Sequence, residues 1–371
     1  MATLRSPFRY DFVGSFLRPQ AIKTARAEFK AGEITREQLT AVENEQITLL
    51  IEKQKRAGYH AITDGEYRRS YWHLDFMWGF TGIDEIELDH GYYFQGEETT
   101  HGSIRVSGKI SGENHPFVEH YKFIKQFEDE NCIARQTMPA PAQLLAELYR
   151  EDNGKNTDSV YPDHEQLLQD IAAAYRTVIR DLYNAGCRSI QFDDCTWGIY
   201  CDKNFTAKTG LKPVDIQKIC ELGVTLNNAA IEGQPDDLVI NTHVCRGNYH
   251  STYAFEGGYD PIAPYLFANE DAHAFYLEFD TPRAGGFEPL AHIADGKYVV
   301  LGLITSKQPG LEDKETVKAR ITEASKYVPL DHLCLSPQCG FASCEIGNKL
   351  TEDEQWAKIA LVQEIAKEVW D

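Results

Sequence analysis

The stretch DHEQLLQDIAAAYRTVIRDLYNAGCRSIQFDD, residues 163–194, decides the reading of the fold. Asp163 is a helix cap, and Leu168, Ile171, Tyr175, Val178 and Leu182 recur at helical spacing on one face. Gly186 closes that helix, because glycine takes the left-handed conformation that ends one without a Cβ penalty. SIQFDD (189–194) follows at once, a short apolar run with the pattern of a buried strand. The same order of helix then strand occurs upstream. There Thr35 and Gln38 form a capping box, Ile47, Leu50 and Ile51 carry an amphipathic helix to Gly58, and HAITD (60–64) comes next.

Reading outward in both directions gives eight short apolar runs, each with helix-like sequence before the next: FVGSF (12–16), HAITD (60–64), CIARQTM (132–138), SIQFDD (189–194), LVINTHV (238–244), AFYLEFD (274–280), YVVLGLI (298–304) and LCLSP (333–337). Asp313, followed by Val317, Ile321, Ala324 and Val328, and a Thr351/Glu354 capping box mark the last two helices. Eight such units predict an α/β fold, a closed parallel (β/α)8 TIM barrel, with an open doubly wound sheet as the alternative. No Pro/Ser-rich linker divides the chain, so residues 1–371 are expected to form a single domain. A long insert, about 66–131, separates the second and third runs and is rich in aromatic residues. Such a segment either closes over a ligand or forms a satellite core.

Composition narrows the function. The 371 residues carry 37 Lys and Arg against 57 Asp and Glu, a net charge of −20 that repels phosphate backbones and anionic lipid. No nucleic acid and no membrane is expected as a partner, and a homo-oligomer is left open. No run approaches the ~20 apolar residues of a membrane span, and MATLRSPFRYDF lacks the apolar core of a signal peptide, which predicts a cytoplasmic protein. Nine scattered cysteines, an odd count, then read as reduced thiols.

In a parallel barrel the site lies where strands end. Those positions hold Ser15, Asp64, Glu66, Asp193, Asp194, His243, Cys245, Glu278, Asp280, Thr305 and Cys339. His243 and Cys245 are two apart on an extended run, so their side chains point the same way. Glu278 and Cys339, at the ends of the sixth and eighth runs, complete a plausible zinc set of His243, Cys245, Glu278 and Cys339. Alternatives are an ion pair of Glu278 with Arg283, a turn role for Cys339, and competition from Cys334 or Cys344. A zinc ion with three anionic ligands is poor at making hydroxide and suits binding a substrate sulfur as thiolate, so the expected chemistry is sulfur alkylation. Glu66 and Asp193 are the candidate catalytic and substrate-binding acids, suited to the ammonium of an amino-acid thiol, with Ser15 at its carboxylate end. Pairing of these acids with Arg68, Arg69 or Arg188 is the alternative.

Six segments carry a resemblance to the C-terminal catalytic half of cobalamin-independent methionine synthase: VGSFLRPQAIKTARAEFKAGEIT (13–35), ITDGEYRR (62–69), QFDD (191–194), THVC (242–245), LEFDTPR (277–283) and LSPQCGF (335–341). They span nearly the whole chain in the family's order. The resemblance implies a zinc-dependent (β/α)8 barrel, an S-methyltransferase of the 5-methyltetrahydropteroyltriglutamate–homocysteine type, that methylates homocysteine in methionine biosynthesis. It implies His243, Cys245, Glu278 and Cys339 as zinc ligands and Glu66, Asp193 and Ser15 as positions that hold homocysteine. Three departures concern the methyl donor, which is folate or another carrier. The family's full-length enzyme has a second, N-terminal barrel, and this chain starts twelve residues before VGSF. LITS (303–306) puts Thr305 where the family has a histidine thought to assist donor activation, with His250 as a substitute that spacing does not single out. TMPAPAQLL (137–145) is followed by no tryptophan of the kind on which the family stacks its pterin. An epoxyalkane:coenzyme M transferase, which resembles the same barrel, and a non-catalytic zinc- or thiol-binding barrel are the competing readings.

Overall fold

Alternation of capped helices with buried apolar runs produces a parallel sheet, seen in the computed structural model, which describes residues 4–370. The described residues contain ten strands: β1 (Ala61–Ile62), β2 (Thr81–Glu87), β3 (Gly102–Ser111), β4 (Ile133–Ala134), β5 (Gln136–Pro139), β6 (Ser189–Asp194), β7 (Val239–Val244), β8 (Ala274–Glu278), β9 (Tyr298–Ile304) and β10 (Leu333–Pro337). Six of them form one parallel sheet in the order β10-β9-β8-β7-β6-β5, and β1 pairs in parallel with β4. β4 and β5 are two halves of one extended stretch that changes partner at Arg135, whose N–H donates to the Ile62 carbonyl at 2.9 Å. At the other edge Tyr10 bridges Leu335 in parallel.

The fold is therefore mixed α/β with the expected parallel order, but the described strand pairings do not close into an eight-membered ring. The first run, FVGSF (12–16), is not a strand. Its carbonyls are taken by side chains: Phe12 O accepts from Arg135 Nη1 at 3.0 Å, Val13 O from Gln191 Nε2 at 2.7 Å and Gly14 O from Thr63 Oγ1 at 2.7 Å. A side chain at Gly14 could not be accommodated, because its Cβ would lie 2.7 Å from Thr137 Cγ2. One backbone bond, Phe16 N–H to Gly65 O at 3.1 Å, joins this segment to the turn after β1.

Helix signals read from the sequence hold in detail. Asp163 accepts from Glu165 N–H at 3.0 Å and opens the helix His164–Asn184, whose buried face includes Ile171, Tyr175, Val178 and Leu182. Leu167 takes the core position and Leu168 is only half-buried, one residue from the expected register. Both halves of the Thr35/Gln38 capping box are present at the start of Arg36–Arg56. Thr351 and Glu354 exchange the equivalent bonds at 2.8 and 3.2 Å before Glu352–Trp370.

The stretch 66–131 folds as a short helix (Leu74–Met77), the antiparallel pair β2 and β3, and a helix (Phe117–Lys125). Its aromatic residues divide. Phe76 and Phe80 pack at 5.5 and 5.2 Å from the Tyr175 ring in the core, whereas Trp72, Tyr92, Tyr93 and Phe94 line a cavity. Among the described residues no helix is long and apolar enough to cross a membrane.

Candidate metal centre

Adjacent strands of a parallel sheet present their last residues along one edge, and here that edge gathers four ligand-type side chains. His243 lies at the end of β7 and Cys245 just beyond it, Glu278 ends β8, and Cys339 follows β10 by two residues. Their ligand atoms all lie within 4.8 Å of one another, and all four residues are buried. Cys245 Sγ is 3.8 Å from Cys339 Sγ and 3.7 Å from Glu278 Oε1, and it accepts from Gly247 N–H at 3.2 Å. His243 Nδ1 meets the Tyr276 carbonyl at 3.3 Å, which makes Nδ1 the protonated nitrogen and turns the Nε2 lone pair toward the cluster. That Nε2 is buried and has no hydrogen-bond partner.

The donor set fits a zinc ion: an orphaned imidazole nitrogen, two thiols and a carboxylate converge, and the long sulfur contacts of Cys245 with Glu278 and Cys339 leave His243 Nε2 unpartnered. Contact with Cys195, opposed by Cys339, pushes the Cys245 thiol well above its ordinary range; contact with Cys245 does the same to Cys339. A dication is the charge that would let both ionise. Burial would raise Glu278, but Lys307, Arg283 and Arg246 together hold it below the ordinary carboxylate value. The expected alternative for Glu278 is present and does not compete. Oε2 faces Arg283 Nη1 at 3.7 Å and accepts from Arg246 N–H at 3.2 Å, while Oε1 is the oxygen near Cys245. Cys334 is packed inside the sheet with Tyr276 and Val300, and Cys344 lines the cavity without belonging to the group of four.

A cavity of about 670 Å³ opens onto this cluster, lined by Ser15, Glu66 and Asp193 together with His243, Cys245 and Cys339. Gly65 and Glu66 both take the left-handed conformation (φ 65° and 62°), so the turn after β1 aims the Glu66 side chain inward. Glu66 Oε1 accepts from Thr137 Oγ1 at 3.0 Å and faces Arg69 Nη1 at 3.2 Å; Oε2 is buried with no partner. Burial raises Glu66 despite Arg69 and Arg18, and burial together with Glu66 raises Asp193 far above the usual value. Of the alternative partners for these acids, Arg69 alone is engaged: Arg68 pairs with Glu43 at 3.0 Å and Arg188 with Asp237 at 2.7 Å. Ser15 Oγ accepts from Ala342 N–H at 3.3 Å, and a Cβ on Gly340 would fall 1.9 Å from it, so only glycine lets this loop approach.

Thr305 does not line the cavity: its Oγ1 accepts from Lys307 N–H at 3.2 Å within its own loop. His250 pairs with Glu97 at 3.0 Å and is also outside the lining. The sequence reading passed over Cys195, which follows Asp194 directly, lines the cavity and contacts the Cys245 thiol. Its position one residue past a strand end was the available signal. Arg69 was named only as a possible partner of the acids, and Arg18 and Lys307 were missed because nothing local distinguishes a buried cation from a surface one.

A family model described as the catalytic domain of cobalamin-independent synthase matches residues 10–368. The chain is 42% identical over 373 residues to the uncharacterized protein YxjG of Bacillus subtilis (strain 168), covering 99% of this chain and 96% of that one. The uncharacterized YxjH of the same organism is 41% identical over 368 residues, with 99% and 96% covered. Among solved structures, a Listeria monocytogenes protein provisionally described as a vitamin-B12-independent methionine synthase superposes with a TM-score of 0.76 at 36% identity, covering 100% of both chains.

Proposed function

Because the chain belongs to the cobalamin-independent synthase catalytic-domain family, we propose that it transfers a methyl group to the sulfur of homocysteine, forming methionine. The observation that carries this reading is the meeting, in one cavity, of four converging ligand atoms with a buried, unpartnered carboxylate oxygen on Glu66. His243, Cys245, Glu278 and Cys339 would hold zinc. When bound, zinc supplies the positive charge that keeps a substrate sulfur as thiolate at neutral pH, where a free thiol of pKa about 8.5 is mostly protonated.

The chain's own groups do the rest. Glu66 and Asp193 hold the substrate ammonium and draw their own charge from that pairing, which offsets the burial that otherwise favours their neutral forms. Ser15 and the close backbone at Gly340 take the carboxylate end. The Tyr276 carbonyl orients His243, and Arg246, Arg283 and Lys307 keep Glu278 ionised. The parallel order and the edge location of the site support one (β/α)8 barrel spanning a single domain, with Tyr10–Phe16 in the place of its first strand. The methyl comes from methyltetrahydrofolate or another methyl carrier.

Zinc content and the metal's X-ray absorption spectrum, recorded with and without L-homocysteine, test the reading. One zinc per chain whose sulfur count rises by one with homocysteine is expected, and Cys339→Ser should lose both the zinc and all sulfur transfer. A zinc-free protein, or a metal shell changed by coenzyme M and not by homocysteine, overturns it.

A further inference from the structure

Away from the thiols the cavity is walled by Trp72, Tyr92, Tyr93, Phe94, Phe205 and Phe255, drawn from three separate segments of the chain. Its charged lining is Glu66, Glu147, Glu151 and Asp193 against a single cation, Arg150. That cation is already engaged: it lies 3.4 Å from both Glu147 and Glu151 and 3.7 Å over the Tyr92 ring. Among the described residues the lining therefore offers no free positive charge, and with Glu66 and Asp193 given to the substrate ammonium it is the aromatic wall that is left for a second ligand. Aromatic faces and carboxylates attract cations, most strongly where water is excluded, and repel polyanionic tails.

The leaving group points the same way. A methyl donor that departs as an amine must be protonated as it leaves, which calls for an acid near the operating pH. Thr305 and His250 are outside the lining, and besides His243 the imidazole in it is His73. Tyr92 donates its hydroxyl proton to Glu147, so His73 Nε2, 3.0 Å from the Tyr92 oxygen, must be the protonated nitrogen. His73 Nδ1 is then a bare acceptor, buried and unpartnered. Burial holds this ring neutral, with its pKa lowered to about 3, so it cannot act as an imidazolium acid. Burial also pushes the Tyr71 and Tyr92 hydroxyls upward, out of the useful range. Of the lining carboxyls, Glu66 and Asp193 are taken by the substrate ammonium in the reading above, Glu147 accepts from Tyr92 and Ser103, and Glu151 faces Arg150.

Resting on the thiol-methylation reading above, we propose that the methyl donor of this cavity is an onium ion, a sulfonium or a quaternary ammonium, seated against the aromatic wall. In the step, the homocysteine thiolate lone pair forms the new S–CH3 bond while the donor's C–S⁺ or C–N⁺ bond breaks. The electron pair of the broken bond stays on the departing sulfur or nitrogen, which leaves as a neutral thioether or tertiary amine. No proton is delivered to the donor. An anion and a cation become two neutral molecules, a change that a poorly solvated cavity favours.

The test gives zinc-loaded protein and L-homocysteine one trideuteromethyl donor at a time: S-methyl-L-methionine, trimethylsulfonium, glycine betaine, 5-methyltetrahydrofolate or methylcobalamin. Labelled methionine is then measured by mass spectrometry. Turnover with an onium donor at least about ten-fold faster than with the folate is expected, and the sulfonium and betaine arms separate the two onium classes. A binding arm uses choline and its neutral isostere 3,3-dimethylbutan-1-ol, followed by ligand-detected NMR. Choline should bind at least about ten-fold more tightly, and Tyr93→Leu, at a site 63% exposed where folding is not at stake, should weaken it several-fold. Methionine formed only from the folate or methylcobalamin, or equal binding of the isosteres, overturns the onium inference and leaves homocysteine methylation standing. No methionine from any donor, with a zinc shell indifferent to homocysteine, overturns both.

Discussion

Glu66 holds a left-handed backbone at φ 62°, and its side chain is buried with one oxygen unsatisfied. Each feature costs on the order of 1 kcal/mol or more, and neither stabilises the fold, which is the pattern of a residue kept for a ligand. Asp193 shares that enclosure and is raised further by Glu66 itself. Asp193→Asn removes the charge at constant shape, so zinc content should be unchanged and the melting temperature equal or higher, since the burial that raises Asp193 no longer opposes folding, while homocysteine binding weakens about ten-fold or more. Calorimetric titration of the zinc-loaded variant with homocysteine measures this. Thr305→His should leave folate-dependent turnover unaltered, because the Thr305 side chain is bonded inside its own loop and a histidine there does not face the reactants. A rise in kcat with the folate would show that the loop re-forms around the new ring. The metal-type ligands were legible from the sequence because strand periodicity and chain order alone determine which side chains reach one edge. Cys195 was equally placed but lay behind two acids that drew the reading. Arg18 and Lys307 depend on tertiary neighbours that no local pattern records.

Elements were legible where their signals are local. A capping box is written in four residues, and both that were read are formed. FVGSF failed because strand character depends on a partner's backbone, and here Arg135, Gln191 and Thr63 side chains supply the bonds instead. The same dependence on neighbours governs the loop after the helix Ala263–Asn269, where buried Glu270 accepts from Thr242 Oγ1 and, at 3.0 Å, from Asn227 Nδ2. Asn227 also donates to Asp194 at 3.3 Å, so one amide holds two carboxylates. Burial raises Glu270 from 4.5 to about 7. Its folded pKa exceeds the unfolded value, so the folded state binds this proton more tightly. The resulting stability is fully present below about pH 4.5 and is lost as the pH rises through about 7. The loss amounts to about 3 kcal/mol by pH 8, taken as an order of magnitude. Glu270→Gln should therefore unfold later than the parent at pH 8 and with little difference at pH 5. Urea denaturation of both proteins at the two pH values isolates the group, since all other titrations cancel in the comparison.

At the scale of the whole molecule the ligand atoms come from three places far apart in the chain, the ends of β7, β8 and β10. A metal that binds them is also a clamp on one edge of the sheet. Zinc bound to the folded state and not to the unfolded one stabilises by RT ln(1 + [Zn]/Kd), about 4 kcal/mol at a thousand-fold excess over Kd. In a chain of this size that is a rise in melting temperature of about 5 °C. Chelation should lower the melting temperature by that amount and re-addition of zinc restore it, while Cys339→Ser melts at the chelated value with or without zinc. The variant separates the clamp from adventitious binding at surface carboxylates, which a chain of net charge −20 has in abundance. If Cys339→Ser still gained stability from zinc, the ion would be held elsewhere. The edge of the sheet would then be closed by its hydrogen bonds alone, with Gly340 packed on Ser15 and Asn248 Nδ2 donating to the Gly340 carbonyl at 2.7 Å.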